Sequence, residues 1–592
     1  MASTNGLASP QWYLKRGGKT DLATRMNGLD PILAQVLYAR KIDTPELARA
    51  FLYPPEDAAD PLSMADMAPA VERLLQALRT GEAIAVYGDY DADGVTATAL
   101  LTLALRALGG EVTPYIPDRF DEAYGLNTPA LKALRDRGIT LAVTVDCGVR
   151  SVEEVAHARA SGLDLIITDH HSVPEKLPPA VAIINPRRED SAYPFRELAG
   201  VGVAYRLAQA LFEAASAAGI AQSPIDADAF LDLVAVGTVA DIVPLLGENR
   251  VLAQRGLARI RAAARPGIQA LAKVAGIAVS ETDSIDIAFR LGPRLNAAGR
   301  LLTRDDNHGR GGAHLALDLL LTEEPAEAQA LAERLDGVNT ERQALLENQV
   351  ARAQNLLGDA EGRPILFVHD PDFPEGIVGL IASRLSDAFY RPALVLRRGT
   401  RTSRGSARSV EGIHITQALD ENADLLQRWG GHALAAGVTL KTANLQALEE
   451  RLTAYCAAHL DGIGDGPKQH VDAIVRLDEL THDTPAALAL LEPFGADNPE
   501  PALATRGLIV RSLRPVGRDG RHLRLYVSDG QRGISAIAFR LGHLAESLAV
   551  GDAVDLVYRP TLNVWQGEAS LQLVVQAIRL ASEPRADGTQ NR

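Results

Sequence analysis

Ala83-Ile84-Ala85-Val86-Tyr87-Gly88-Asp89-Tyr90-Asp91-Ala92-Asp93-Gly94 is a short apolar run that ends in three carboxylates on alternate positions. The run has the length and composition of a buried strand. Like charges clustered at its end repel one another without a counter-ion, and hard divalent cations such as Mg²⁺ and Mn²⁺ prefer oxygen ligands. Asp-x-Asp-x-Asp-Gly also opens a calcium-binding EF-hand loop. That loop needs a Glu at its twelfth position, which here is Leu100, and it follows a helix, whereas a strand precedes Asp89 here.

Outward from this stretch, residues 81–245 alternate β-rich runs (83–87, 111–116, 141–145, 163–168, 181–184) with helical patterns such as 96–108 and 151–160. That alternation predicts an α/β fold of βαβ units, a parallel sheet with helices on both faces, whose ligands gather at the carboxyl ends of the strands. Asp146 follows the run 141–145, and Asp169-His170-His171 follows 163–168. Asp241 closes an apolar helix predicted over 230–240. Adjacent histidines are commonly core or surface residues, but four separated acidic sites, three of them on strand ends, point to one cation-binding centre.

Farther along, 322–357 reads as one amphipathic helix with Thr322 as cap and Pro325 in its first turn, a spacer of about 50 Å between lobes. A second α/β pattern follows, with strands at 364–369 and 393–396 around a helix at 376–389, ending before the loop 461–467. Five short alternating runs (507–513, 522–528, 534–539, 553–560, 570–580) fit a small OB-type barrel, and the last dozen residues read as disordered.

A chain of 592 residues is too long for one core. No apolar stretch of about 18 residues and no signal-like N-terminus is present, so a soluble, unprocessed chain is expected. Two cysteines, Cys147 and Cys456, exclude a disulfide framework and suit a reducing cytoplasm. The net charge of −15 argues against a general nucleic-acid binder, yet 391–410 holds six Arg and no acid, and 501–580 holds ten Arg against six Asp and Glu. Either stretch could equally be a solvated surface.

Gly88–Gly94, Thr144-Val145-Asp146-Cys147-Gly148, Asp169-His170-His171 and Gly237-Thr238-Val239-Ala240-Asp241 resemble the four motifs of the DHH phosphoesterase superfamily. Several further motifs are similar, in order, to the RecJ family of single-strand-specific 5′→3′ exonucleases. They are Ile116-Pro117-Asp118-Arg119 with Tyr124-Gly125-Leu126, the run from Gly292 to Arg300, Gly405-Ser406-Ala407-Arg408-Ser409, Gly430-Gly431-His432-Ala433 and Pro493-Phe494-Gly495.

The resemblance implies an N-terminal segment (1–80) packing on a DHH catalytic domain (81–321), a connecting helix (322–357), a DHH-associated domain (358–460), an OB-fold domain (468–580) and a disordered tail (581–592). It implies two divalent cations, Mn²⁺ or Mg²⁺, held by Asp91, Asp93, Asp146, His170 and Asp241, with Asp89 a ligand or immediately behind one. Asp169 and His171 would orient ligands or touch the scissile phosphate, and with Asp146 and His170 make up the catalytic group. An oxygen-rich set with a single imidazole suits Mn²⁺ or Mg²⁺ better than Zn²⁺.

Ser406 and Arg408 resemble part of a pocket for a terminal 5′-phosphate, with Arg300 beside them, although Gly405-Ser406 also reads as a plain turn. Arg119, Tyr124, Asn296 and His432 are further substrate-binding candidates; Tyr124 could stack on a base or pack in the core. On the barrel, Arg514, Arg518, Arg521, Arg524 and Trp565 could contact backbone and bases. The implied partners are single-stranded DNA with a 5′-phosphate end, a helicase and a single-strand-binding protein, for a cytoplasmic monomer that engages no membrane and works in recombination and mismatch repair.

The chain departs from the family pattern in three places. Phe373-Pro374 stands where Trp-His is usual. The segment 302–312 replaces an Asp-Asp, and is expected to be a mobile insertion near the DNA path. Asp497 replaces a Gly. Two other readings stay open. One is a DHH phosphodiesterase for short oligoribonucleotides or cyclic dinucleotides, which would lack the barrel. The other is an inactive strand-binding scaffold, which would have lost ligands.

Overall fold

The computed structural model describes residues 11–581 except 17–19, 55–58, 123–124, 221–224, 264, 361, 460–466 and 566. Tyr124, most of the loop 461–467 and the tail from 582 lie outside the described residues, as does the side chain of Trp565. Two compact units make up the chain: residues 56–463 with 493–498 form one, and the remainder forms the other.

Strands buried on both faces organise the first sheet of the larger unit. Its strands run Val112–Tyr115, Ile84–Tyr87, Leu141–Val145, Asp164–Thr168 and Ala182–Ile184 in spatial order, all parallel. Ile84, Val86, Val143 and Ile166 enter one apolar core, with helices Met67–Thr80, Ala92–Ala107 and Gly200–Ala217. Ala85, Tyr87, Ala142 and Ile167 enter another, with helices Thr128–Asp136 and Val152–Ala160. Both faces are therefore covered, as parallel sheets require. Strand Ile84–Tyr87 has neighbours on both sides, so the crevice where connections diverge lies beside it, at the carboxyl ends of Ile84–Tyr87 and Leu141–Val145.

Helix Leu231–Ala240, which ends at Asp241, is buried nearly throughout and carries Asp232 into the core. Arg265 answers that charge with two hydrogen bonds of 2.8 Å, from Nε and Nη2 to the two carboxylate oxygens. Arg265→Ala leaves Asp232 buried and uncompensated; a loss of about 3 kcal/mol is expected in the denaturant unfolding of the larger unit.

The helix Pro325–Leu357, 33 residues long, packs at both ends, where the sequence suggested a bare spacer. Ala328, Ala332 and Leu335 join the first core, while Leu346, Ala353 and Leu357 join the core of the second lobe. Its cap also differs from expectation. Glu324 occupies the cap, because Pro325 takes the first helical position, and Thr322 Oγ1 accepts the Glu324 N–H at 3.2 Å. In the second lobe the sheet order is Leu426–His432, Ala435–Lys441, Thr402–Arg408, Ala393–Arg397, Leu366–Asp370, and only the last two strands are parallel. Gly405-Ser406 sits inside a strand there, not in a turn.

In the smaller unit, strands Leu503–Val516, His522–Ser528, Gly533–Ala538, Glu568–Leu580 and Ala553–Trp565 pair in that order, and the first pairs with the last, closing a five-stranded barrel. Closure removes sheet edges. Strand Gln11–Leu14 pairs with Lys468–Val471. Residues 11–54 accordingly group with the barrel, whereas the sequence set the whole of 1–80 on the catalytic domain.

Candidate metal centre

Backbone N–H groups fix the acidic side chains before any ligand is considered. Asp91 caps helix Ala92–Ala107, its Oδ1 accepting from the N–H of Asp93 and of Gly94 at 3.0 Å. Asp93 accepts from the N–H of Gly200 at 2.7 Å and of Val201 at 2.8 Å, the first turn of helix Gly200–Ala217, where a helix end favours an anion. Gly200 has no substitute there: a Cβ would lie 2.7 Å from the Asp146 side chain. Asp146 itself takes a left-handed φ of 62° as it leaves its strand. Asp169 accepts from the N–H of His170, His171 and Val149, and Asn296 Oδ1 accepts the Ala92 N–H at 2.8 Å.

These anchors bring three groups together, Asp146 with His170 and His171, Asp93 with His170 and Asp241, and Asp89 with Asp91 and Asp146; within each, candidate ligand atoms lie inside 4.8 Å of one another. His170 Nε2 is 3.1 Å from Asp146 Oδ1 and 3.6 Å from Asp241 Oδ2. Asp89, Asp93, Asp146, Asp169 and His170 are buried. Burial, then the Asp91 charge, pushes Asp89 up to about 8 and Asp93 up to about 7. Burial and neighbouring carboxylates hold Asp146 and Asp241 well above the usual range. Burial, then His171, pushes His170 down to about 3, which keeps its ring neutral. Burial opposes the charges of Asp169 and His171, but the 2.8 Å bond between them outweighs it, bringing Asp169 to about 2 and raising His171.

Divalent cations fit this residue set. Asp89 Oδ1 and His170 Nε2 are buried without a hydrogen-bond partner, and the candidate donors are carboxylate oxygens with the imidazoles of His170 and His171, of which His170 is held neutral. The raised carboxylates bind more protons folded than unfolded, so cation-free stability from this cluster falls as pH rises from about 4 to 8. A cation displaces those protons. The rise in unfolding midpoint on adding Mn²⁺ is therefore expected to be larger at pH 8 than at pH 6; an equal rise would contradict the shifts.

The second lobe supplies the phosphate candidates. Ser406 and Arg408 share one face of strand Thr402–Arg408, with Arg408 Nη1 donating to Ser406 Oγ at 2.8 Å. Burial pushes the Arg408 guanidinium down, and it forms no ion pair among the described residues. The lobes meet where Arg300 approaches Gly376: a Cβ there would lie 1.9 Å from the Arg300 carbonyl oxygen. Burial, then Arg119, pushes Arg300 down to about 9. His432 is exposed, and burial, then the charge of His171 in the other lobe, lowers it. The structure thus gathers Asp89, Asp91, Asp93, Asp146, Asp169, His170, His171, Asp241, Asn296, Arg119 and Arg300, with His432 of the second lobe within the field of His171, while Ser406 and Arg408 stand together on strand Thr402–Arg408 of that lobe. Arg514 and Arg521 are exposed on the barrel, in the other unit, and Arg521 pairs with Asp519.

Two features escaped the sequence reading. The N–H pair of Gly200 and Val201 was one. Arg187 was the other, a cation whose field lowers Asp241 and which follows strand Ala182–Ile184; the strand-end rule could have found it. The segment 302–312 is tied down by ion pairs from Arg304 and Arg310 and by Asn307, 1% exposed, which donates to Gly311. Phe373 is fully buried in the second lobe's core, and Asp497 takes a left-handed φ of 56° where the family pattern has Gly.

Comparison with known proteins gives the same architecture. The DHH family, N-terminal domain, matches residues 83–238, the DHHA1 domain 362–458 and the RecJ OB domain 471–577. The single-stranded-DNA-specific exonuclease RecJ of Haemophilus influenzae is 35% identical over 577 residues, covering 93% of this chain and 97% of that protein. The protein of the same name from Bacillus subtilis is 36% identical over 575 residues, 96% of this chain and 70% of that one. The crystal structure of RecJ with Mn²⁺ from Thermus thermophilus superposes with a TM-score of 0.81 at 31% identity, covering 98% of this chain and 80% of that one. Identity sustained across the catalytic lobes and the barrel settles the kinship: the chain belongs to the RecJ family of single-stranded-DNA-specific exonucleases.

Proposed function

We propose that this chain hydrolyses single-stranded DNA from a 5′-phosphorylated end, releasing 5′-mononucleotides, with two Mn²⁺ or Mg²⁺ ions held by Asp91, Asp93, Asp146, His170 and Asp241, and with Asp89 a ligand or immediately behind one. The observation that carries this reading is the convergence of three carboxylate and imidazole groups on one strand-end crevice. Bound divalent cations supply Lewis-acid polarisation of the scissile phosphate and acidify the attacking water.

The protein's own groups do the rest. Asp169 holds the His171 ring through Nδ1, so its Nε2 edge is the one to meet a phosphate oxygen. Arg408, oriented by Ser406, receives the terminal phosphate as a charge-assisted partner, with Arg300 beside it. Asn296 fixes the Ala92 amide and with it the capped turn of Asp91. Arg119 and His432 contact the strand, and Arg514 and Arg521 of the barrel hold its backbone. Residues 81–321 are the catalytic domain, 358–460 its associated domain and 468–580 the OB domain. Dinucleotide-specific relatives need no such barrel, which favours long strands as substrate.

A cytoplasmic setting, a monomeric state, and work beside a helicase and a single-strand-binding protein in recombination and mismatch repair complete the proposal. Digestion of single strands labelled at either end, with Mn²⁺, tests it: mononucleotides appear first from the 5′ end, and activity that begins at the 3′ end or prefers duplex rejects it.

A further inference from the structure

We infer that Arg304, on the segment 302–312 that departs from the family pattern, is a positioning residue that holds the loop carrying Arg119 in place over Tyr90, beside the carboxylate cluster. The inference rests on the reading of Arg119 as a substrate-binding residue.

Arg119 stands among groups that point to an anionic ligand. Its guanidinium carbon lies 3.9 Å from the centre of the Tyr90 ring, between Asp89 and Asp91 in sequence. Its Nε is buried without a hydrogen-bond partner, and no carboxylate pairs with it among the described residues. A cation so placed binds a phosphate well only if its loop is already in position, since ordering a loop on binding reduces affinity.

Glu122 does the ordering. Its Oε2 accepts the Asp118 N–H at 2.7 Å, its Oε1 accepts the Tyr115 hydroxyl at 2.6 Å, and its own N–H donates to the Asp118 carbonyl at 2.9 Å. This closes a tight turn around Arg119. Arg304 Nη2 then reaches the same Glu122 Oε2 at 2.6 Å, tying the turn to the helix Gly292–Leu301 that bears Asn296 and Arg300. The segment is braced for this: Thr303 donates twice to Asp306, the Gly309 N–H donates to the Arg304 carbonyl, and Gly311 sits against Asp118 so closely that a Cβ would lie 3.2 Å from its Cα.

The same segment contains its own control. Arg310 pairs with Asp318 on the following helix and touches nothing in the Arg119 loop in any contact described. Arg304 and Arg310 are comparably exposed, with 40% and 48% of their side chains accessible, so their removal should lower the unfolding midpoint alike.

The test measures kcat and KM on a 5′-phosphorylated single strand with Mn²⁺ for R119A, R304A, R304K, R310A and R119A/R304A. Arg119→Ala is expected to raise KM by about 10-fold or more, as loss of a charge-assisted contact does. Arg304→Ala should raise KM about 5-fold with kcat nearly unchanged, Arg304→Lys should restore part of that, and Arg310→Ala should leave KM alone. The double variant should match R119A, because the two residues act through one contact. A wild-type KM for R304A beside a raised one for R119A overturns the inference and leaves the site reading standing; so do equal effects of R304A and R310A, or additivity in the double variant. A wild-type KM for R119A rejects instead the reading of Arg119 itself.

Discussion

Asp146→Asn is expected to lower turnover by about 10³-fold, the equivalent of about 4 kcal/mol of lost transition-state stabilisation, while leaving the cation-free protein at least as stable as before. The two halves of this result share one cause. Asp146 is 2% exposed, and burial, then the charges of Asp93, Asp91, Asp241 and Asp89, holds its carboxyl well above the ordinary range. Removing one of these groups relieves like-charge repulsion in the apo protein. Asn also suits the left-handed backbone at this position, so the substitution isolates the charge from the turn. The stabilisation gained on adding Mn²⁺ should shrink sharply in this variant. Near-normal turnover would remove Asp146 from the ligand set, and a strongly destabilised apo protein would contradict the electrostatic account.

The second large effect concerns selectivity at the strand's end. Arg408→Ala should reduce kcat/KM for a 5′-phosphorylated strand by about 10- to 100-fold, the value of a lost charge-assisted hydrogen bond of about 1.5–3 kcal/mol. A 5′-hydroxyl strand should be affected far less. Arg408 is a half-buried cation whose described partners are the neutral Ser406 hydroxyl and the Ala407 carbonyl, and burial alone pushes its pKa down. Such a group is incomplete until an anion arrives. Equal losses on both substrates would show that Arg408 supports the strand Thr402–Arg408 and not the phosphate.

Much of the candidate metal centre was legible because it obeys a positional rule. Asp89, Asp91 and Asp93 after strand Ile84–Tyr87, Asp146 after Leu141–Val145, and Asp169 and His170 after Asp164–Thr168 all sit where parallel sheets place ligands, so periodicity alone located them. What local pattern could not carry is contact between distant segments. The Gly200 and Val201 amides that hold Asp93 lie 107 and 108 residues away, and no spacing rule announces them. Strand Thr402–Arg408 was hidden for a different reason. Its inward positions are Ser403, Gly405 and Ala407, small residues in place of large apolar ones, so no apolar-polar alternation marks it in the sequence. The long helix was visible as a helix, but its burial at both ends depends on small residues, Ala328, Ala332 and Ala353, that read as neutral in sequence. The departure at Phe373-Pro374 puts Pro374 where the family pattern has His, and Phe373, in place of Trp, is fully buried in the second lobe's core.

The central claim is that four acidic motifs far apart in sequence make one two-cation centre. Anomalous diffraction from a crystal soaked in Mn²⁺ tests it most directly. The account predicts two peaks about 3.5–4 Å apart, bounded by Asp91, Asp93, Asp146, His170 and Asp241. A single peak elsewhere, or none at these carboxylates under saturating Mn²⁺, would contradict it.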